Sequence, residues 1–176
     1  MKTLESIQKT YKVFKTLAKI AMILSFIWAG TTLVGLLCGV VWRTGGHVYG
    51  IFMENALKLA QAAGLEQMIG TLFADFVFAL TDGLLFLFAY RYFKQELADG
   101  TPFTLAGAGQ VKSLGIKTIV MPLVAAILSA VIYECFGLAH PSDRGNGTAV
   151  VLGIALILFS LVLHHGAELR EGKEKS

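Results

Sequence analysis

Three carboxylic acids stand in apolar surroundings where a charge is hardest to keep: Asp75, Asp82 and Glu134. Asp75 and Asp82 are seven residues apart and so share one face of a helix. An ionised Asp at the centre of a bilayer costs about 2.5–3.5 kcal/mol, so Asp82 is expected to face the interior of a helix bundle. Two chemistries fit such a group. A neutral carboxyl fastens helices at about 0.6–2 kcal/mol per hydrogen bond, and Ser25, Trp28, Ser129 and Ser160 match its depth. Alternatively the acids carry protons or cations, with Asp75 and Glu134 at a common depth nearer the outer side. Arg43, His47 and His140 fall near the same mouth and could complete an outward-facing polar site; a salt bridge from Arg43 to one acid is the simpler arrangement. A metal centre needs several ligands in fixed geometry, and these residues come from four separate segments, so no metal site is assigned. His164 and His165 point about 100° apart on a helix and cannot chelate one ion in the i,i+4 manner. There is no phosphate-cradling glycine loop, no Cys-x-x-Cys and no nucleophile motif, and nothing implies a cofactor or a catalytic residue.

The elements that must position these groups are four long apolar runs, at 20–42, 69–93, 116–139 and 148–166 of a 176-residue chain. Each is close to the ~20 residues that cross a ~30 Å hydrocarbon core, and in lipid each must satisfy its own backbone hydrogen bonds as a helix. Hydrophobic residues make up 55% of the chain and charged residues 15%, leaving no room for a soluble catalytic domain. The expected fold is all-α, a single integral membrane four-helix bundle. The first run is too long for a signal-peptide core, and Val40-Val41-Trp42-Arg43 is a poor cleavage site, so it is read as a retained span. Twelve lysines and arginines fall in the N-terminal segment, the central link and the tail, against Arg43, Lys58 and Arg144 on the other side. That asymmetry predicts cytoplasmic termini. The net charge of +3 therefore reports topology, and no direct contact with nucleic acid is implied.

Between the spans, residues 1–19 read as an amphipathic helix, with Leu4, Ile7, Tyr11, Phe14 and Ala18 on one face and lysines on the others. It is expected to lie on anionic headgroups or to recruit a partner. The outer segment 43–68 carries a short connecting helix over Ile51 to Ala63. The link 94–115 has a helix stop at Asp99-Gly100, an N-cap at Thr104, a weak Phe103–Ala108 staple and a short surface helix over 105–114. Residues 167–176 form a tail. Lys117 is expected to snorkel to the surface and Pro122 to kink span three. Gly35-x-x-x-Gly39 allows close helix approach, within the bundle or between copies. Cys38 and Cys135 match in depth; a bridge requires spans one and three to touch, and lone cysteines in apolar surroundings are more often free. Asn146-Gly-Thr148 fits the short glycosylation pattern, hard against the membrane.

Gly100-Thr-Pro-Phe-Thr104, Val111-Lys-Ser-Leu-Gly-Ile116 and His165-Gly-Ala-Glu-Leu-Arg-Glu171 resemble short motifs of an uncharacterised bacterial family of four-span membrane proteins. The resemblance covers about residues 70 to 171. It implies a bacterial cytoplasmic (inner) membrane location. Because members are often encoded beside a small helix-turn-helix repressor, it also implies a regulatory partnership. Leu105-Ala-Gly-Ala-Gly109 departs from the acidic residue that commonly follows Pro-Phe-Thr in that family, and no catalytic residue is implied. The expected role is non-enzymatic: binding to a protein partner, as a sensor or regulator. The alternative is an oligomeric proton- or cation-coupled transporter or channel that uses Asp75, Asp82 and Glu134.

Overall fold

The computed structural model describes residues 2–44, 64–99, 104–138 and 146–174. Four helices account for nearly all of them: α1 (Lys2–Arg43), α2 (Leu65–Asp99), α3 (Leu105–Cys135) and α4 (Asn146–Glu174). All four contain a stretch long and apolar enough to cross a membrane, so the chain is an all-α, multi-pass membrane bundle as its sequence predicts. At 1.5 Å per residue the 42 residues of α1 measure about 63 Å, twice the hydrocarbon thickness. The N-terminal part of α1 therefore extends beyond the core without a break. No Gly or Pro occurs before Gly30, so nothing in that sequence stops a helix once it has started.

The helices pack in chain order: α1 on α2, α2 on α3, and α3 on α4. Side-chain contacts give the hand of each pairing. Tyr11 and Phe14 meet Phe93, Gly83 faces Phe26, and Gly39 faces Met68 and Ile69, so α1 and α2 run antiparallel. Tyr92, Ala108, Val111 and Leu163 form one buried cluster at the end of the bundle that carries both termini. Of the amphipathic stripe expected over residues 1–19, Tyr11 and Phe14 pack against Phe93 of α2 and Ala18 is buried. The surface helix expected over 105–114 is likewise the first part of α3.

The interior is rich in small residues, with Met68, Tyr92, Tyr133 and Leu163 among the few large ones buried, and most of the large aliphatic side chains face outward. Buried positions include Ala18, Ala29, Ala74, Ala79, Ala108, Ala125 and Ala167, whereas Leu24, Ile27, Trp28, Leu37, Val151 and Val162 are exposed. This is the inverse of a water-soluble core, and it follows from the solvent. Lipid tails solvate Leu as well as a protein interior does, so helices gain from close backbone approach and not from hiding large side chains. The tightest approach is between α3 and α4. A Cβ on Gly115 would lie 2.9 Å from the Gly153 carbonyl oxygen, and a Cβ on Gly153 would lie 2.8 Å from the Gly115 carbonyl oxygen. The Gly35-x-x-x-Gly39 pair is used inside the chain, facing Leu72, Met68 and Ile69 of α2.

Helix ends follow local chemistry. Thr104 adopts an extended conformation and its hydroxyl accepts from the Gly107 N–H at 2.9 Å, the predicted N-cap of α3. The C-terminus of α3 falls before the expected limit at 139, in a Schellman turn. The Leu138 N–H donates to the Tyr133 carbonyl at 2.8 Å and the Gly137 N–H to that of Glu134 at 3.1 Å, with Gly137 at φ 61°. Leu138 then seats on Gly70 of α2. Pro122 is buried within α3, which continues on both sides of it. The connecting helix expected over Ile51 to Ala63 and the Phe103 half of the staple lie outside the described residues.

The glycine crossing sets a test. Gly115→Ala and Gly153→Ala should each lower the stability of the purified protein by about 1–3 kcal/mol, because backbone cannot yield to a methyl as a flexible side chain can. Gly30→Ala, whose Cβ meets nothing within 4 Å, should be silent or slightly stabilising in the same denaturation series.

Candidate functional site

Asp82 sits at the middle of α2, and the structure turns it the other way from expectation. Its side chain is exposed on the outer face of the protein. The reason lies in its neighbour: Gly83 faces Phe26 of α1, and one residue back along a helix is a turn of about 100°, which carries Asp82 off that seam. Phe86, one turn further on, is exposed as well. None of the depth-matched partners reaches Asp82. The Ser160 hydroxyl donates to the Ile157 carbonyl of its own helix at 2.6 Å, Trp28 is exposed, and Ser129 is buried with its hydroxyl unpaired among the described residues. No hydrogen bond to Asp82 forms among the described residues.

Asp75 and Glu134 lie towards the opposite end, at the level where the Tyr133 hydroxyl donates to the Thr71 hydroxyl across α2 and α3 at 3.3 Å. Asp75 is half-buried, one turn from Thr71, and Glu134 is exposed beside Tyr133; both take part in interactions within the chain. Asp82 is about 10 Å further along α2 than Asp75, so the three acids do not converge on one point. No group of three His, Cys, Asp or Glu side chains that could hold a metal occurs among the described residues.

Arg43 is engaged otherwise than expected. Its guanidinium pairs with Glu66 at the start of α2, at 3.2 Å, and lies over the Phe136 ring, 5.9 Å from the centroid. Those two contacts tie the ends of α1, α2 and α3 together; the ion pair is exposed and contributes about 0–1 kcal/mol. His47 and His140 lie outside the described residues. Cys38 and Cys135 are free thiols. His164 and His165 both approach Glu168, at 3.4 and 3.8 Å, on a helix that continues past them to Glu174.

The opposite end holds a cluster that the sequence pattern did not single out. Glu96 is buried at 3% exposure in the last turn of α2. Its carboxyl occupies the space where a Cβ on Gly107 would be, against the first turn of α3, where the positive end of the helix dipole favours an anion. One turn earlier, Tyr92 lies beside Tyr11 from α1. Phe93 stacks on Phe14 with centroids 5.7 Å apart and meets Tyr92 edge-on at 5.2 Å. The available signal was the pairing of Tyr92 and Glu96 at i,i+4 with a glycine three residues past the Thr104 cap. Neighbouring this cluster, the Lys117 ammonium lies 3.9 Å from the Phe88 ring centroid, between α2 and α3.

The chain matches no protein-family model, no characterised protein and no solved structure.

The Glu96 cluster generates its own prediction. Gly107→Ala drives a methyl into the Glu96 carboxyl and should lower the unfolding midpoint. Glu96→Ala in the same background should recover part of that loss, because it removes the clash, and a double-mutant cycle measures the coupling.

Proposed function

We infer that this is a non-enzymatic membrane protein that works by binding another protein within the bilayer, as a sensor or regulator. The observation that carries this reading is the Asp82 carboxyl, exposed at mid-span on the outer face of α2. Left in lipid it costs about 2.5–3.5 kcal/mol, a cost that a donor from another chain removes. The rest of the surface is consistent with a binding role. Only 11% of the apolar window of α1 is buried, against 28% for α3, so much of α1 is open to lipid or to a partner helix. At the basic end, the lysine-rich start of α1 and the last turns of α4 extend beyond the spans, within reach of a cytoplasmic partner if the charge asymmetry sets orientation. A bacterial inner membrane and a regulatory partner are what the resemblance to the four-span family would add.

A second reading rests on the same residue. In a homo-oligomer, Asp82 faces of several copies would line a shared seam, and a proton or cation path could use Asp82 with Asp75 and Glu134. Four spans are few for a path inside one copy, and the separation of the three acids within the chain agrees with that.

Purification in mild detergent, with the particle mass and the identity of retained proteins measured, separates the two. A stoichiometric second protein is the expected result; a lone homo-oligomer supports the transport reading, and a lone monomer contradicts both. Asp82→Asn keeps a hydrogen-bonding amide and should leave the partner complex intact, whereas Asp82→Leu should weaken it by about 0.6–2 kcal/mol in association. Under the transport reading, Asp82→Asn abolishes flux in liposomes.

A further inference from the structure

A groove of about 190 Å³ runs between α2 and α3 near the end of the bundle that carries both termini. From the membrane surface inward its rungs are Gln95 and Gln110, then Arg91 and Ser113, then Lys117 over Phe88. At 1.5 Å per residue, the seven residues from Gln95 to Phe88 take it about 10 Å down the helices. No carboxylate lines it, and neither Arg91 nor Lys117 has an ion-pair partner among the described residues. The groove therefore presents two cations, two carboxamides and the hydroxyls of Ser113 and Tyr92, with no anion in its lining to receive them. A guanidinium fork and an ammonium are the donors that a phosphate oxygen accepts from most strongly.

We propose that this groove binds the phosphate headgroup of an anionic phospholipid, with Arg91 and Lys117 as its cationic ligands and Gln95, Gln110 and Ser113 as neutral donors. Two observations favour a lipid over a free anion. The groove lies at the level where headgroups meet hydrocarbon, since Arg91 is at the end of the apolar run of α2. Below Lys117 the same side of α3 continues apolar and exposed: Val120 and Val124, three and seven residues on, are 47% and 48% exposed. An acyl chain attached to a phosphate at Lys117 has that stripe to lie along. The expected snorkelling of Lys117 takes a specific form, with its ammonium held over Phe88 at the foot of the groove and not released to bulk water.

The test is native mass spectrometry of the full chain in detergent, offered phosphatidylglycerol and phosphatidylcholine in equal amounts. The expected result is preferential retention of one phosphatidylglycerol, with Arg91→Gln and Lys117→Gln each lowering that preference about fivefold, as expected for one cation near a membrane surface. Lys117→Arg should keep it. Lys94→Gln, outside the groove, should not change it. Arg91 is exposed, so its variant is expected to fold, and a thermal melt checks this. Equal retention of the two lipids, or a preference that survives both groove substitutions, would overturn the proposal. Displacement of the lipid by inorganic phosphate would overturn the lipid assignment and make the groove a small-anion site.

Discussion

Close backbone approach at small residues is the interaction on which the rest of this structure depends. In water, a four-helix protein is held by the expulsion of large apolar side chains from solvent. In lipid that force is absent between helices, and cohesion comes from dispersion contacts and hydrogen bonds that act only over short distances. The α3–α4 pair meets this condition at Gly115 and Gly153, where each backbone sits where the other's Cβ would be. The α1–α2 pair meets it with Gly39 against Met68 and Ile69, and Gly83 against Phe26. Most Leu, Ile and Val side chains are then left to the outside, where the bilayer accepts them at no cost, with Val111 and Leu163 as buried exceptions.

That division of labour is what makes Asp82 stand out. Phe86, one turn away on the same helix, and Phe26 and Trp28 of α1 are exposed apolar side chains, and among them the carboxyl is a local exception to the solvent rule. The sequential order of helix contacts sharpens this point. With α1 packed mainly on α2 and α4 mainly on α3, two of the four helices have one principal neighbour each, and broad apolar faces remain open among the described residues. A protein whose spans are incompletely surrounded, and which carries an acid on an outer face, is physically suited to association within the membrane.

Much of this fold was legible in the sequence, because hydropathy over twenty residues is a strong signal and the bilayer admits few alternatives to a helix. Thr104 as an N-cap was equally legible, since it depends on local chemistry, whereas the Gly35–Gly39 spacing signalled close helix approach without saying which helix would approach. Three features were not. The seating of Tyr11 and Phe14 on Phe93 of α2 joins residues far apart in the chain. Burial of Glu96 depends on Gly107 approaching from another helix. The orientation of Asp82 depends on the rotation of α2, which is set by which neighbour Gly83 meets. Seven-residue spacing correctly relates Asp75 to Asp82 on one helix, yet spacing alone carries no information on whether that face points inward.

The glycine seams explain how the helices cohere in lipid, and the exposed Asp82 face is where the proposed association is placed. A photo-crosslinking side chain at Phe86, one turn from Asp82, compared in native membranes with the same group at Val162, which is 67% exposed on α4, tests this most directly. A discrete protein adduct at position 86 and only lipid at position 162 is the predicted result. Lipid adducts alone at both positions would contradict it, because the Asp82 face would then be bare to the bilayer.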